Sequence, residues 1–207
     1  MKGFVIGLTG GMAAGKSGIA MLLRRRGAAY YSVDEAAHFL YRRGSPGWKR
    51  IVRAFGRGVR APDGSVDRRV LGAIVFRSPR ALLCLERIVH PPLRREAARA
   101  VERMRRMNRC VVVEAGPLLY RLGLDRKANL VVLARCSRAA RVKRLMLSRG
   151  LPAGEAGKRL DATAFAEALL EGRVAGTKAR LIVDTGAGQE KIDETVDRIY
   201  MQAKNAI

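Results

Sequence analysis

A glycine-rich segment near the start of the chain constrains the fold more than any other feature. Gly10-Gly11-Met12-Ala13-Ala14-Gly15-Lys16-Ser17 fits the pattern G-x-x-x-x-G-K-[ST] at every fixed position. The apolar run at residues 4–8 precedes it, and an amphipathic stretch with Ile19, Leu22 and Leu23 follows it. A strand, a tight turn and a helix in this order point backbone N–H groups and the positive helix end at an anion. The segment therefore predicts a phosphate-binding loop.

The residue types of this loop predict a nucleoside triphosphate and Mg²⁺ as its ligands. Lys16 is expected to reach the β- and γ-phosphates, and Ser17 offers a hydroxyl to the metal ion. The residues expected to contact the nucleotide are Gly11, Met12, Ala13, Ala14, Gly15, Lys16, Ser17 and Gly18. Small-molecule kinases, GTPases, motor ATPases and nucleic-acid remodellers share such loops, so the loop alone does not identify the phosphoryl acceptor.

Short apolar runs alternate with longer helical patterns along much of the chain. The predicted strands lie at residues 4–8, 28–31, 111–113, 130–133 and 181–183, with helices at residues 16–26, 137–148 and 192–203. Ser137 is predicted to be the N-cap of the second of these helices. This alternation predicts an α/β fold with a parallel sheet. Together with the loop, it indicates a three-layer fold like that of P-loop nucleoside triphosphate hydrolases.

Residues 36–107 interrupt this alternation with a mostly helical region. Helical patterns occupy residues 48–55, 68–76, 80–89 and 93–107, and Pro91-Pro92 is expected to separate the last two. We therefore predict a single domain over residues 1–207. Its core spans about residues 1–35 and 108–207, and a helical insertion at about residues 36–107 lies over the ligand edge of the sheet.

Composition excludes several classes of protein. The 207 residues are 48% hydrophobic and 29% charged, which excludes a disordered chain. No apolar run approaches the roughly 20 residues that a membrane span needs, and the early apolar run ends too soon for a signal peptide. Cys84, Cys110 and Cys136 form no C-x-x-C pair, so neither a zinc site nor a disulfide framework is expected. A reduced, cytoplasmic protein without membrane partners is predicted.

The chain carries 41 Lys and Arg against 18 Asp and Glu, which gives a formal net charge of +23. One interpretation is a polyanionic partner such as nucleic acid. The other is a set of solvated basic helix faces, helped by phosphate ligands. The 32 arginines are scattered and few aromatic residues lie among them, so base-stacking surfaces are not indicated. No nucleic-acid partner is expected despite the charge, and the sequence predicts no particular oligomeric state.

Asp34 is a candidate for the acceptor side of a phosphoryl transfer. A kinase needs a carboxylate to orient or deprotonate the acceptor hydroxyl. In a doubly wound sheet such a residue belongs at the carboxyl end of a strand, and Asp34 follows the run at residues 28–31 and opens the helix at residues 35–41. The sequence is equally consistent with a structural role, in which Asp34, or Ser32 before it, caps that helix.

Several motifs, in order, resemble one family over nearly the whole chain. They are Gly7-Leu8-Thr9-Gly10-Gly11-Met12, Val33-Asp34-Glu35-Ala36-Ala37-His38, Asp63-Gly64-Ser65-Val66-Asp67-Arg68-Arg69-Val70-Leu71, Val75-Phe76, Leu85-Glu86-Arg87-Ile88-Val89-His90-Pro91 and Pro117-Leu118-Leu119. With the phosphate loop, this series resembles the dephospho-coenzyme A kinases. Their motifs in this order and spacing are far more specific than the loop alone.

The resemblance implies that ATP phosphorylates the ribose 3′-hydroxyl of the small molecule dephospho-CoA in the last step of coenzyme A synthesis. It implies Asp34 as general base, Lys16 as a catalytic cation and His90 as a substrate contact, whereas His38 reads as a helix-face residue. It also implies a lid over ATP at about residues 141–178, whose Arg144 and Arg149 best match the family's arginines.

Five positions depart from the family's pattern: Ser32, Glu114, Arg121, Thr163 and Thr185. Glu114 lies three residues before Pro117 where the family's carboxylate lies two before, so on a strand it would point to the opposite face unless residues 115–116 form a bulge. Three alternatives stay open: another small-molecule or nucleotide P-loop kinase, a basic nucleic-acid-binding P-loop protein, and an inactive kinase.

Overall fold

A five-stranded parallel sheet forms the centre of the fold. The computed structural model describes residues 2–177 and 180–206. The strands are β1 (Phe4–Gly10), β2 (Ala29–Ser32), β3 (Cys110–Glu114), β4 (Leu130–Arg135) and β5 (Arg180–Asp184), in the spatial order β2-β3-β1-β4-β5. β1 pairs in parallel with β3 and with β4, and β4 pairs in parallel with β5. The predicted α/β fold with a parallel sheet is confirmed, because strands buried on both faces leave strong apolar runs in the sequence.

Helices connect the strands. They are α1 (Lys16–Arg25), α2 (Val33–Leu40), α3 (Pro46–Phe55), α4 (Arg68–Arg77), α5 (Pro79–Met107), α6 (Leu118–Arg121), α7 (Arg138–Arg149), α8 (Ala153–Asp161), α9 (Ala164–Ala175) and α10 (Gln189–Asn205). Ser137 caps α7, as predicted, by accepting a hydrogen bond from the amide of Ala140 at 3.2 Å. Within the described ranges, no helix combines the length and the apolar character that crossing a membrane requires.

The chain divides into two compact units. The first contains the described residues up to 31 and those from 100 onward, and it includes β1, β3, β4 and β5. The second contains residues 32–99 and is built from α2, α3, α4 and most of α5. Its smallest feature is a short hairpin in which Arg60 and Val66 form an antiparallel bridge around the predicted turn at residues 61–64.

A large hydrophobic cluster of the first unit lies on one face of the sheet. Ile6 and Leu8 of β1 and Val132 of β4 pack in one cluster with Leu23 of α1 and Ile199 of α10, and all five are fully buried. Burying each such side chain contributes about 1.5–3 kcal/mol. The packing fixes α1 against the sheet, so the turn between β1 and α1 stands on a rigid support.

The long helix α5 differs from the prediction. The sequence predicts two helices separated at Pro91-Pro92, whereas α5 runs without interruption from Pro79 to Met107 with both prolines inside. The buried side chains Val89, Leu93 and Ala97 follow one another at intervals of four residues across the prolines. Burial of this continuous apolar stripe outweighs the missing amide hydrogen bonds, which normally weaken or kink a helix.

Candidate active site

The predicted phosphate loop, residues 10–18, connects β1 to α1. Its backbone uses the left-handed region at Ala13, with φ +58°, and at Gly15, with φ +90°. A side chain at Gly15 would be strained by this φ, and its Cβ would lie 2.8 Å from Oγ1 of Thr185. Gly15 is therefore required both by the turn and by the close approach of a neighbouring side chain.

The ammonium group of Lys16 folds back over this loop. Its Nζ atom donates hydrogen bonds to the carbonyl oxygen of Gly10 at 3.1 Å and to that of Gly11 at 2.9 Å. Lys16 is the first residue of α1, so its positive charge stands beside the positive end of the helix dipole. Both features favour an anion at the loop.

Glu114, at the end of β3, binds the residue next to Lys16. Its Oε1 atom accepts a hydrogen bond from Ser17 Oγ at 3.0 Å, and its Oε2 atom accepts one from the hydroxyl of Tyr30 at 2.7 Å. The guanidinium of Arg24 lies 5.0 Å from the centre of the Tyr30 ring. The arrangement places a carboxylate and a hydroxyl together at the start of α1.

This position of Glu114 decides between the two alternatives that the family spacing left open. In the parallel register Glu114 stands opposite Leu8, whose side chain lies in the core packed against α1, and paired residues point to the same face. The additional residue before Pro117 falls in the turn after β3 instead. There Gly116 adopts φ +50°, and its carbonyl accepts a hydrogen bond from Thr9 Oγ1 at 2.7 Å.

Arg144 of α7 contacts the loop and the residue that follows β5. Its Nη1 atom donates to the carbonyl of Ala13 at 3.2 Å and to Oγ1 of Thr185 at 2.9 Å, and its Nη2 atom donates to the carbonyl of Thr185 at 2.7 Å. Thr185 Oγ1 in turn donates to the carbonyl of Ala14 at 2.8 Å. Arg149, the other predicted arginine, is exposed at the last position of α7.

A second arginine of α7 and a carboxylate of α9 also reach the loop. Arg141 donates to the carbonyl of Met12 and forms an ion pair with Glu167, which accepts a hydrogen bond from the amide of Met12. A cavity of about 140 Å³ lies beside this contact, between the loop, the end of β4 and α9. Glu167 was not among the predicted site residues, and Arg141 was expected in the lid but matched the family's arginines less well than Arg144 and Arg149.

Asp34 and His90 belong to the second unit. Asp34 is the second residue of α2 and is exposed, and His90 is partly buried in α5. Ser32 caps α2, since its side chain accepts a hydrogen bond from the amide of Glu35 at 3.2 Å. The cap is therefore Ser32 and not Asp34. His38 lies on the face of α2 and makes a 2.7 Å hydrogen bond with Nη1 of Arg68.

Comparison with known proteins identifies the family of this chain. The sequence model described as dephospho-CoA kinase matches residues 4–176. The chain belongs to the dephospho-CoA kinase family. Proteins named dephospho-CoA kinase are 44% identical over 158 residues in Symbiobacterium thermophilum (76% of this chain, 66% of that protein) and 39% identical over 198 residues in Leifsonia xyli (95% and 96%).

Solved structures agree with the fold of this family member. A Thermus thermophilus structure is similar with a TM-score of 0.73 at 25% identity, over 98% of both chains. The dephospho-CoA kinase from Campylobacter jejuni is similar in fold with a TM-score of 0.71 at 20% identity, again over 98% of both chains. The P-loop kinase fold predicted from the sequence is thereby confirmed.

Three of the positions that depart from the family's pattern make hydrogen bonds that support local structure. Ser32 caps α2, Thr185 donates to the loop carbonyl of Ala14, and Thr163 donates to Glu167 at 3.0 Å. Glu114 was the functional candidate that the sequence reasoning set aside. Counting alternate residues forward from the buried Val112 of β3, instead of backward from Pro117, would have assigned Glu114 to the face of α1.

Proposed function

We propose that this family member transfers the γ-phosphoryl group of ATP to the ribose 3′-hydroxyl of dephospho-CoA, giving CoA and ADP. The observation that carries the proposal is the phosphate loop between β1 and α1, with Lys16 and Ser17 at the start of the helix, in a chain of the dephospho-CoA kinase family. In the reaction, the acceptor oxygen bonds to the γ-phosphorus, the bond to the β-phosphate oxygen breaks, and ADP leaves.

The donor side is the phosphate loop. Its amides and the first turn of α1 bind the phosphate oxygens, and Lys16 exchanges its two carbonyl contacts for the β- and γ-phosphates. The cation neutralises charge that develops during transfer, which is a main source of catalysis in phosphoryl transfer. Arg144 and Arg149 are proposed as further nucleotide contacts from the lid, for which a guanidinium is suited.

Ser17 and Glu114 are proposed to hold Mg²⁺. Their hydroxyl and carboxylate oxygens are hard ligands that lie 3.0 Å apart, and the described residues contain no group of three or more His, Cys, Asp or Glu that could hold a metal. This set suits Mg²⁺, which takes one or two protein oxygens and completes its shell with phosphates and water. When bound, the ion supplies charge neutralisation on the β- and γ-phosphates.

On the acceptor side, Asp34 is proposed as the general base and His90 as a substrate contact. Asp34 accepts the proton of the ribose hydroxyl as the new bond forms. Its carboxylate is exposed and the cap of α2 is formed by Ser32, so the helix does not depend on it for capping. The lid proposed over residues 141–178 comprises most of α7 together with α8 and α9, and it excludes water from the reacting phosphate. Its last residue, Lys178, lies outside the described residues.

A panel of acceptors tests the proposed reaction. The full chain is incubated with ATP, Mg²⁺ and one acceptor at a time, and ADP is measured by a coupled assay. We expect ADP formation well above background with dephospho-CoA and not with shikimate, nucleosides or nucleoside monophosphates. Transfer to another acceptor at a higher rate, or no transfer to any acceptor, would contradict the proposed function.

Replacing Glu114→Gln is expected to raise the Mg²⁺ concentration needed for half-maximal activity by about 10-fold, equivalent to about 1.4 kcal/mol. The amide keeps the shape of the side chain but removes the negative charge beside Ser17. The measurement is a Mg²⁺ titration at saturating ATP, together with direct titration of Mg²⁺-dependent nucleotide binding. Glu190→Gln, an exposed carboxylate in the first turn of α10, is the control, and equal Mg²⁺ curves for both variants would reject the role.

A further inference from the structure

We propose that Arg141 and Glu167 are positioning residues that clamp the Met12 peptide and so hold the phosphate loop in its nucleotide-binding shape. The inference rests on the proposed function, because it takes ATP to be the ligand of this loop. It goes further by assigning a role in ATP affinity to two side chains that the loop motif does not contain.

Met12 is held through both polar groups of its backbone. Its amide donates to Oε1 of Glu167 at 3.1 Å, and its carbonyl accepts from Nε of Arg141 at 2.8 Å. The two side chains are joined directly, since Nη2 of Arg141 lies 2.6 Å from the same Oε1 atom. The tip of the loop, α7 and α9 are therefore linked in a closed ring of charge-assisted hydrogen bonds.

The clamp is shielded from water. The side chains of Arg141 and Glu167 are only 15% and 16% exposed, so the ion pair is screened less than a surface pair. Thr163 donates a further hydrogen bond to Oε1 of Glu167 at 3.0 Å. Two hydrogen bonds and an ion pair on one carboxylate oxygen fix its position on the loop.

The carboxylate also packs against the loop backbone. A Cβ added at Gly11 would lie 2.6 Å from the carboxyl group of Glu167. Glycine at this position therefore leaves the space that the carboxylate occupies. The sequence pattern alone allows any residue at position 11, and the clamp gives a physical reason for the glycine found there.

Two arginines of α7 donate hydrogen bonds to consecutive carbonyls of the loop. Arg141 binds the carbonyl of Met12, and Arg144 binds that of Ala13. A carbonyl held on one side of a tight turn lets the next N–H group point to the other side, and successive N–H groups of this kind form an anion-binding nest. A loop already held in this shape loses less conformational freedom when ATP binds, so its affinity is higher.

A competing interpretation predicts the opposite effect of substitution. If the Glu167 carboxylate occupied the Met12 amide in place of a phosphate oxygen, ATP would have to displace it, and its removal would strengthen ATP binding. The clamp requires that removal weaken it. The sign of the change in ATP affinity therefore separates the two interpretations.

The test compares Glu167→Ala, Glu167→Gln and Arg141→Lys with the wild-type chain by calorimetric titration of ATP and by steady-state kinetics. We expect Glu167→Ala to raise the dissociation constant and KM for ATP about 10-fold. Glu167→Gln keeps an acceptor for the Met12 amide and should lose less. KM for dephospho-CoA and kcat at saturating ATP should change less than about 2-fold, because the clamp touches neither the acceptor nor the reacting atoms.

Glu171→Ala and Glu171→Gln provide the matched controls. Glu171 lies one turn further along α9, is exposed, and lines the same cavity. Tighter or unchanged ATP binding in the Glu167 variants, or equal losses in the Glu171 variants, would overturn the clamp. If thermal denaturation shows that Glu167→Ala is not folded, the ATP affinities of Glu167→Gln and Arg141→Lys decide between the two interpretations. Failure of the wild type to bind ATP would refute the proposed function, whereas a normal wild type with unaffected Glu167 variants would refute only the clamp.

Discussion

Lys16→Met is expected to lower kcat for phosphorylation of dephospho-CoA by about 10²–10³-fold, in the range seen when one charge-stabilising group is removed from an active site. Lys16 is the side-chain cation of the phosphate loop motif, and its Nζ atom already lies over that loop, 2.9 Å from the carbonyl of Gly11. Methionine has a similar length and no charge. The measurement is the ADP-coupled assay at saturating ATP and acceptor.

The loss in Lys16→Met should come from chemistry and not from unfolding. The Lys16 side chain donates to carbonyls of its own loop, and the helix that carries it is held by buried residues such as Leu23. The thermal midpoint should therefore stay near that of the wild type. Lys191→Met, an exposed lysine of α10, is the control. If Lys16→Met retained full activity, the proposed catalytic role of the phosphate loop would be wrong.

Asp34→Asn is expected to lower kcat by about 10²–10⁴-fold, the usual contribution of a general base. Asparagine has nearly the same size but cannot accept the proton of the ribose hydroxyl. KM for dephospho-CoA should change much less than kcat, because the amide still offers a hydrogen bond to the acceptor.

Glu35→Gln is the closest control for Asp34→Asn. Both carboxylates lie in the first turn of α2 and both are exposed, so the two variants lose the same charge at the same helix end. Ser32 keeps the cap of this helix in each of them. A kcat for Asp34→Asn within about 2-fold of that for Glu35→Gln would show that Asp34 is not the base, since such a base contributes at least about 100-fold.

The strands and the phosphate loop could be predicted because their signals are local. A short β-branched run such as Val111–Val113 appears in the sequence whatever it pairs with, and the loop motif combines glycines, a lysine and a serine at fixed spacing. The capping of α7 by Ser137 is also local. These features need no knowledge of distant residues.

Other features depend on contacts that no local pattern contains. Glu167 reaches Met12 from 155 positions away in the sequence, and Arg141 from 129. For Glu114 the sequence left two faces open, because the family spacing counts across a turn, where the alternation of a strand no longer holds. The continuity of α5 through Pro91-Pro92 depends on burial of its apolar stripe, which outweighs the local preference of proline.

The order of strands in the sheet has a consequence for how the chain reaches its native state. β1 is synthesised first, yet its neighbours are β3 and β4, and Phe4 pairs with Cys110 while Ile6 pairs with Leu130. Closing loops of this length makes folding slow compared with that of a helical bundle. During translation the apolar β1 cannot pair with β3 or β4 while residues 32–99 emerge from the ribosome. Chaperone demand and aggregation should therefore concentrate on nascent chains that end before β4 has left the exit tunnel.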